Sequence, residues 1–376
     1  MEWGSNNKRS RQQQMTEEIM KKLLLAAVAV GAISSGIGIT QAADQLVLNR
    51  NAAIPFATLP DGVRFPEGIT ADPATGDIFV ATFDFGPNAN KLVRFSKNGH
   101  LSAIRDFGGT PLLGLDFDAA RGKVYILNFG ASKVQRIAAD FDATTAVEDV
   151  ATLPSIGAPG PRTVGNPDGS NDTITFGSNG FPAPNAMTFS RNGSLYVSDS
   201  FQGAIFRIDN VATCAKPCVV TTVVHDPLLA TAGFPPFGAN GIALNVNETA
   251  LFIANTGDNR ILKMDLATKV ISVFTESVHG ADGITFDNSG RLWVAANQGD
   301  QIVALNENGR VIAKLGEFQG INRDGTPNGL LFPASPVIVG DWIYVTNLAL
   351  PLTGSPAEWE TDVTRWTVSR IKLPKR

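Results

Sequence analysis

Three histidines, three tyrosines and two cysteines are all that 376 residues contain of these types. Two cysteines without paired histidines or further thiols make a poor zinc site. They also lack the Cys-x-x-Cys spacing of a redox pair. Positive charge is short as well: 31 Lys and Arg stand against 35 Asp and Glu. With no basic excess to neutralise a phosphate backbone, a nucleic-acid partner is not expected. Long amphipathic helical patterns are missing, whereas 37 Gly and 22 Pro mark many short turns. At 43% hydrophobic residues the chain can bury a real core, which excludes wholesale disorder and favours an all-β fold.

One uninterrupted apolar run exists, Leu23 to Ile33, preceded by Lys21-Lys22 and followed by small residues up to Thr40-Gln41-Ala42. A positive start, a short apolar stretch and small residues at −3 and −1 predict an N-terminal extension and signal peptide over 1–42, cleaved near Ala42. The alternative is an N-terminal membrane anchor, although the run is short for a bilayer span. Met20 makes a more usual signal start than Met1. No second run of membrane length follows, so the processed chain is expected without a membrane span, in the periplasm or secreted. Cys214 and Cys218 fit an oxidising compartment, where they can pin a small loop by a disulfide; free thiols are the alternative.

Over 43–376 a pattern recurs: a short motif, an apolar strand, a polar turn, and a second strand rich in β-branched and aromatic residues. Its copies start at Glu67, Leu113, Asn185, Asn240, Asp282 and Ser335. Asn-Gly and Ser-Gly dipeptides between strands tolerate the positive φ of hairpin turns. Third strands such as Ala204-Ile-Phe-Arg-Ile208 follow, usually with a fourth. Four strands repeated six times predict a single domain, a six-bladed β-propeller of four-stranded antiparallel blades around a central channel. Residues 44–66 or the C-terminal stretch 366–372 supply the strand that closes the ring.

Residues at the start of each inner strand can point into the channel. Four of the six starting residues carry a carboxylate or amide oxygen: Glu67, Asn185, Asn240 and Asp282. Two carboxylates and two amides suit Ca²⁺ or another hard divalent cation, and not Zn²⁺, which prefers imidazole or thiolate. The competing explanation is that Asn and Asp before Gly form turns. Asn128, Asp199, Asn255 and Asn297 close second strands and either orient these ligands or serve as strand-end hydrogen bonders. Of the histidines, His100 and His225 read as structural, and His279 lies close enough in sequence to Asp282 to approach the channel mouth.

Phe65-Pro-Glu-Gly, Pro184-Asn-Ala, Ala239-Asn-Gly-Ile and Ala281-Asp-Gly-Ile-Thr-Phe-Asp, followed by Gly290-Arg-Leu-Trp-Val-Ala295, resemble the senescence-marker protein/gluconolactonase family, kin to paraoxonases and diisopropyl fluorophosphatase. The resemblance runs over roughly 60–350. It implies a divalent cation, usually Ca²⁺, held by Glu67, Asn185, Asn240 and Asp282, and hydrolysis of lactones, related esters or phosphotriesters. Asp282 and Glu67 are then the catalytic candidates, Asp282 as a ligand alone or as a ligand that also takes a proton from water. Long segments at 155–184, 226–239 and 316–334 are expected over the same face, with Phe65, Phe181, Phe234, Phe237 and Phe332 walling a pocket for a hydrophobic lactone or ester. Two other readings stand beside the hydrolase. One is a non-catalytic propeller binding a ligand or protein around a structural Ca²⁺. The other is a propeller lyase acting on a cyclic ester, whose general base the sequence does not place.

Overall fold

The structure is a computed structural model that describes residues 45–374 except 88 and 178–181. The predicted signal peptide over 1–42 and the pocket candidate Phe181 lie outside the described residues. Six four-stranded antiparallel sheets follow one another along the chain. Blade 1 runs from its inner strand Pro66–Ala71 through Ile78–Thr82 and Asn90–Phe95 to Leu101–Gly108. The inner strands of blades 2 to 6 are Leu112–Asp118, Pro184–Phe189, Ala239–Leu244, Ala281–Phe286 and Pro333–Val339. Together they form a six-bladed β-propeller, as the repeat predicts. Among the described residues no helix is long and apolar enough to cross a membrane.

The second strand of each blade shows why the sheets stack. In Ile78–Thr82 all five residues are buried, and alternate ones serve opposite seams. Ile78 and Val80 pack against blade 6 residues such as Tyr344 and Val368, while Phe79 and Ala81 pack against Leu112 and Val124 of blade 2. A side chain on a strand can face only one way, so a strand between two neighbouring sheets must be apolar at every position. The same division gives a cluster at each of the other four seams. Each large aliphatic or aromatic residue buried there contributes about 1.5–3 kcal/mol.

Both candidate closing segments are used. Thr367–Lys372 is the third strand of blade 6, and Ala53–Thr58 pairs antiparallel with it as the fourth, Ala53 opposite Ile371. An unexpected strand, Val47–Asn49, adds in parallel to the outer strand Val311–Leu315 of blade 5. The turn glycines Gly99, Gly193 and Gly290 have φ of 81°, 85° and 78°, as hairpin dipeptides require. Cys214 and Cys218 form a disulfide, Cα–Cα 5.5 Å, in the loop after the third strand of blade 3.

Every inner strand carries the same irregularity. Pro66 faces Thr82 but Ile69 faces Val80, so one extra residue bulges between them. Equivalent slips follow Leu112, Pro184, Ala239, Ala281 and Pro333. A bulge re-aims a side chain, and the first bulged residue is Glu67, Leu113, Asn185, Asn240, Asp282 or Ala334. The sixth copy is therefore one residue out of the expected register: Ala334, not Ser335, occupies the channel position. The acid-Gly and amide-Gly pairs are not turns either. A Cβ on Gly68 would lie 2.1 Å from the Leu113 carbonyl oxygen, and one on Gly241 2.3 Å from that of Asp282. These glycines let adjacent inner strands touch near the axis.

Candidate metal centre

Glu67, Asn185, Asn240 and Asp282 all line one cavity of about 380 Å³, counting its open part. Four blades bring them there from positions far apart in the chain. All four side chains are buried. Among the described residues, Glu67 Oε2, Asn185 Oδ1 and Asp282 Oδ1 are buried without a hydrogen-bond partner. An orphaned buried oxygen costs about 1–3 kcal/mol, and three facing one cavity call for a shared electropositive partner.

The two carboxylates are also held against their ordinary acidity. Burial, and then the charge of Asp282, push Glu67 well above the usual carboxylate range. Burial also raises Asp282 to about 7, against hydrogen bonds from Asn297, Asn240 and the Gly283 N–H that pull it down. A divalent cation between them would remove the penalty for both. Among the described residues no three of His, Cys, Asp and Glu gather in one place, so a cation here depends on the two amides as well. The donor set, all oxygen and two charges, fits Ca²⁺.

The residue just past each second strand forms a second ring around the channel. In chain order it is Phe83, Phe129, Ser200, Thr256, Asn297 and Leu348. The polar three each bond the ligand of their own blade. Asn185 Nδ2 donates to Ser200 Oγ at 3.0 Å, Asn240 Nδ2 to Thr256 Oγ at 2.9 Å, and Asn297 Nδ2 to Asp282 Oδ2 at 3.0 Å. Asn297 thus does not share a register with Asn128, Asp199 and Asn255; Ala296 does. Those three are strand-end hydrogen bonders. Asn128 caps a short turn at Ala131, Asp199 accepts from the N–H groups of Ala183, Phe201 and Gln202, and Asn255 donates to the carbonyls of Leu228 and Ala230. Asn297 can lie as it does because residue 280 is glycine: a Cβ there would meet Asn297 Oδ1 at 1.7 Å.

Above this polar floor the cavity is apolar. Phe83, Leu113 and Phe237 pack in one cluster and Phe332 and Leu348 in another, Leu350 touching both, with Pro235 and Leu352 completing the wall. Of the aromatics expected there, Phe237 and Phe332 line it. Phe65 instead packs edge-on against Trp366 at 5.0 Å, and Phe234 is 56% exposed. Phe332 adopts φ of 44°, and its N–H is held by Asp300 at 2.8 Å. None of the described residues of 155–184 lines the cavity. That segment forms a hairpin, Arg162–Gly165 with Asn171–Ile174, fixed to blade 4 by Arg162 on Asp258 at 3.1 Å. His100, His225 and His279 are exposed and line nothing in the cavity, which removes His279 as a candidate at the channel mouth. Phe83 and Leu348 to Leu352 were not legible in the sequence as wall residues. Their one signal is apolar side chains persisting past the end of a second strand.

Residues 235–316 match the SMP-30/Gluconolactonase/LRE-like region. This gluconolactonase-like region contains half of the polar floor and more: Asn240, Thr256, Asp282 and Asn297. A curated relative, the strictosidine synthase-like 7 protein of Arabidopsis thaliana, is 30% identical over 127 residues, 32% of this chain and 33% of that protein. The chain therefore matches about a third of that relative's length. Among solved structures, the calcium-binding protein regucalcin from Agrobacterium tumefaciens str. C58 superposes with a TM-score of 0.61 at 16% identity, over 88% of this chain and 97% of that one. Virginiamycin B lyase from Staphylococcus aureus gives 0.52 at 15% identity, over 86% and 99%. At such identities they establish the propeller fold around the gluconolactonase-like region and nothing finer.

Proposed function

We propose that this protein is an exported hydrolase of lactones or related esters that works with Ca²⁺, or another divalent cation, at the channel floor. The observation that carries the reading is the convergence of three unpartnered buried oxygens, from Glu67, Asn185 and Asp282, with Asn240 on one cavity. Glu67, Asn185, Asn240 and Asp282 would hold the cation, which would supply Lewis acidity toward an ester carbonyl.

The chain's own residues do the rest. Among the described lining residues only Glu67 and Asp282 titrate, so proton transfer falls to one of them. Asp282 is the better placed, because Asn297 fixes Oδ2 and leaves Oδ1 facing the cavity. The wall of Phe83, Phe237, Phe332 and the leucines offers no donor to a hydroxyl-rich sugar. It favours a lactone or ester with a hydrophobic substituent, which it would desolvate on binding.

Among the described lining residues no acid or base stands beside Glu67 and Asp282, which favours one competitor, a binding propeller in which the cation is structural. The lyase reading is weaker. A histidine-to-alanine variant of the Staphylococcus aureus lyase is catalytically inactive, whereas all three histidines here are exposed away from the cavity. A panel of aryl esters and lactones, assayed with Ca²⁺ and with EDTA while the melting temperature is followed, separates the readings. Turnover lost in EDTA and restored by Ca²⁺ supports the hydrolase. A calcium-dependent melting temperature without turnover supports the binding scaffold, and no response to either sinks the cation site. Export is tested by N-terminal sequencing of the periplasmic or secreted protein, which should begin at residue 43.

A further inference from the structure

An asparagine is a useful cation ligand only if its oxygen, and not its NH₂, faces the ion. Nothing in the amide's shape decides this, since the two ends are nearly the same size; the surrounding hydrogen bonds must. At Asn185 and Asn240 they do. Ser200 Oγ donates its one proton to the Ala239 carbonyl at 2.7 Å, and Thr256 Oγ donates its proton to the Ala281 carbonyl at 2.7 Å. With that proton committed, each hydroxyl can only accept from the side chain beside it. Each therefore takes the amide's Nδ2, at 3.0 Å from Asn185 and 2.9 Å from Asn240. The amide oxygen is turned the other way; for Asn185 it is left buried with no partner.

Building on the cation reading above, we infer that Ser200 and Thr256 are positioning residues that lock the amides of Asn185 and Asn240 oxygen-inward. The lock also reaches across blades. The carbonyls that hold the two hydroxyl protons belong to Ala239 and Ala281, the residues immediately before the ligands Asn240 and Asp282. Each hydroxyl thereby ties a ligand on its own blade to the backbone of the next. Neither side chain need touch the substrate: Ser200 lies behind Asn185 and does not line the cavity. The two locks differ in strength. Asn240 has a second acceptor for its amide in Asp282, whereas the Asn185 amide donates to Ser200 Oγ.

The test is a cycle of calcium affinities, measured by titration calorimetry on chelator-stripped full-length protein. An aspartate at 185 presents an oxygen whichever way it turns, so it has no orientation to lose. Ser200→Ala should weaken Ca²⁺ binding by about 10- to 100-fold. In the Asn185→Asp background the same change should cost less than about threefold. The unpaired Ala239 carbonyl is common to both backgrounds and cancels in the cycle. Ser200→Thr should restore affinity, since Thr256 shows that the register accepts threonine. Thr256→Val should cost less than Ser200→Ala. If Ser200→Ala does not fold, the same cycle on Thr256→Val and Asn240→Asp reads the proposal. Equal losses with Asn and with Asp at the ligand position would overturn the lock while leaving the cation site intact. No calcium binding by the unaltered protein would overturn both.

Discussion

Blades 3, 4 and 5 and blades 6, 1 and 2 offer the channel the same two backbone positions and fill them with opposite chemistry. The first half presents Asn185, Asn240 and Asp282, each backed by Ser200, Thr256 or Asn297. The second presents Ala334, Glu67 and Leu113, backed by Leu348, Phe83 and Phe129. Glu67 is thus a lone carboxylate in the apolar half. No second-ring neighbour bonds it, and its Oε2 is orphaned. Repetition builds the ring, and departures from the repeat build the candidate site: one half lines it with amides and a carboxylate, and the other with apolar side chains around Glu67.

The largest effect should come from the residue that crosses this division. Glu67→Gln should abolish calcium binding and yet raise the stability of the metal-free protein near neutral pH, by on the order of 1–3 kcal/mol, because folding no longer has to desolvate or protonate a carboxylate beside Asp282. Melting curves in EDTA and in Ca²⁺ measure both; a less stable metal-free variant would mean that Glu67 is satisfied by something other than a cation.

Acidity gives the next contrast. Asp282 in the folded protein is raised to about 7, against about 4 when unfolded. Between those values the folded state holds a proton that the unfolded state has released, so stability in EDTA should fall as pH rises from 4 to 7. Calcium requires the ionised form, and the shift it produces in melting temperature should grow over the same interval. A pH-independent calcium shift would remove the two buried carboxylates from the site.

Phe237→Ala tests the apolar half by itself. It should raise KM for an apolar ester about tenfold and leave the calcium-induced stabilisation unchanged. Smallest of all should be the paired change Cys214→Ser and Cys218→Ser. Closing so short a loop contributes about 2 kcal/mol at most, and the loop is on the outer strands of blade 3, so melting temperature should drop slightly with calcium affinity intact.

The ring, and the meeting of Glu67, Asn185, Asn240 and Asp282 on one cavity, were legible because the repeat carries its own ruler. Glycine after the channel residue marks the close approach of inner strands in four copies: Gly68, Gly114, Gly241 and Gly283. The sixth copy has no such glycine and offers Pro333 and Pro336 instead, which is why Ser335 was read where Ala334 stands. The same one-residue slip placed Asn297 with the strand-end hydrogen bonders. A bulge or strand end is set by backbone pairing, which composition does not report. The wall was harder still. Leu350 and Leu352 belong to a segment with no strand period, and their place above Glu67 is decided by blades 6 and 1 meeting in space.

Ala53–Thr58 is synthesised before any blade, yet its partner is Thr367–Lys372. A ribosome or an export pore that releases the chain from its N-terminus therefore delivers one half of the clasp first and the other half last. Five blades can stack in the meantime, but the sixth cannot, and the seam between it and blade 1 stays open to proteases and to other chains. With Glu67 on one side of that seam, the candidate cation site is incomplete until the two ends of the propeller have found each other. Loop closure over such a span is slow, so the molecule acquires its circular integrity and its candidate chemistry in the same late event.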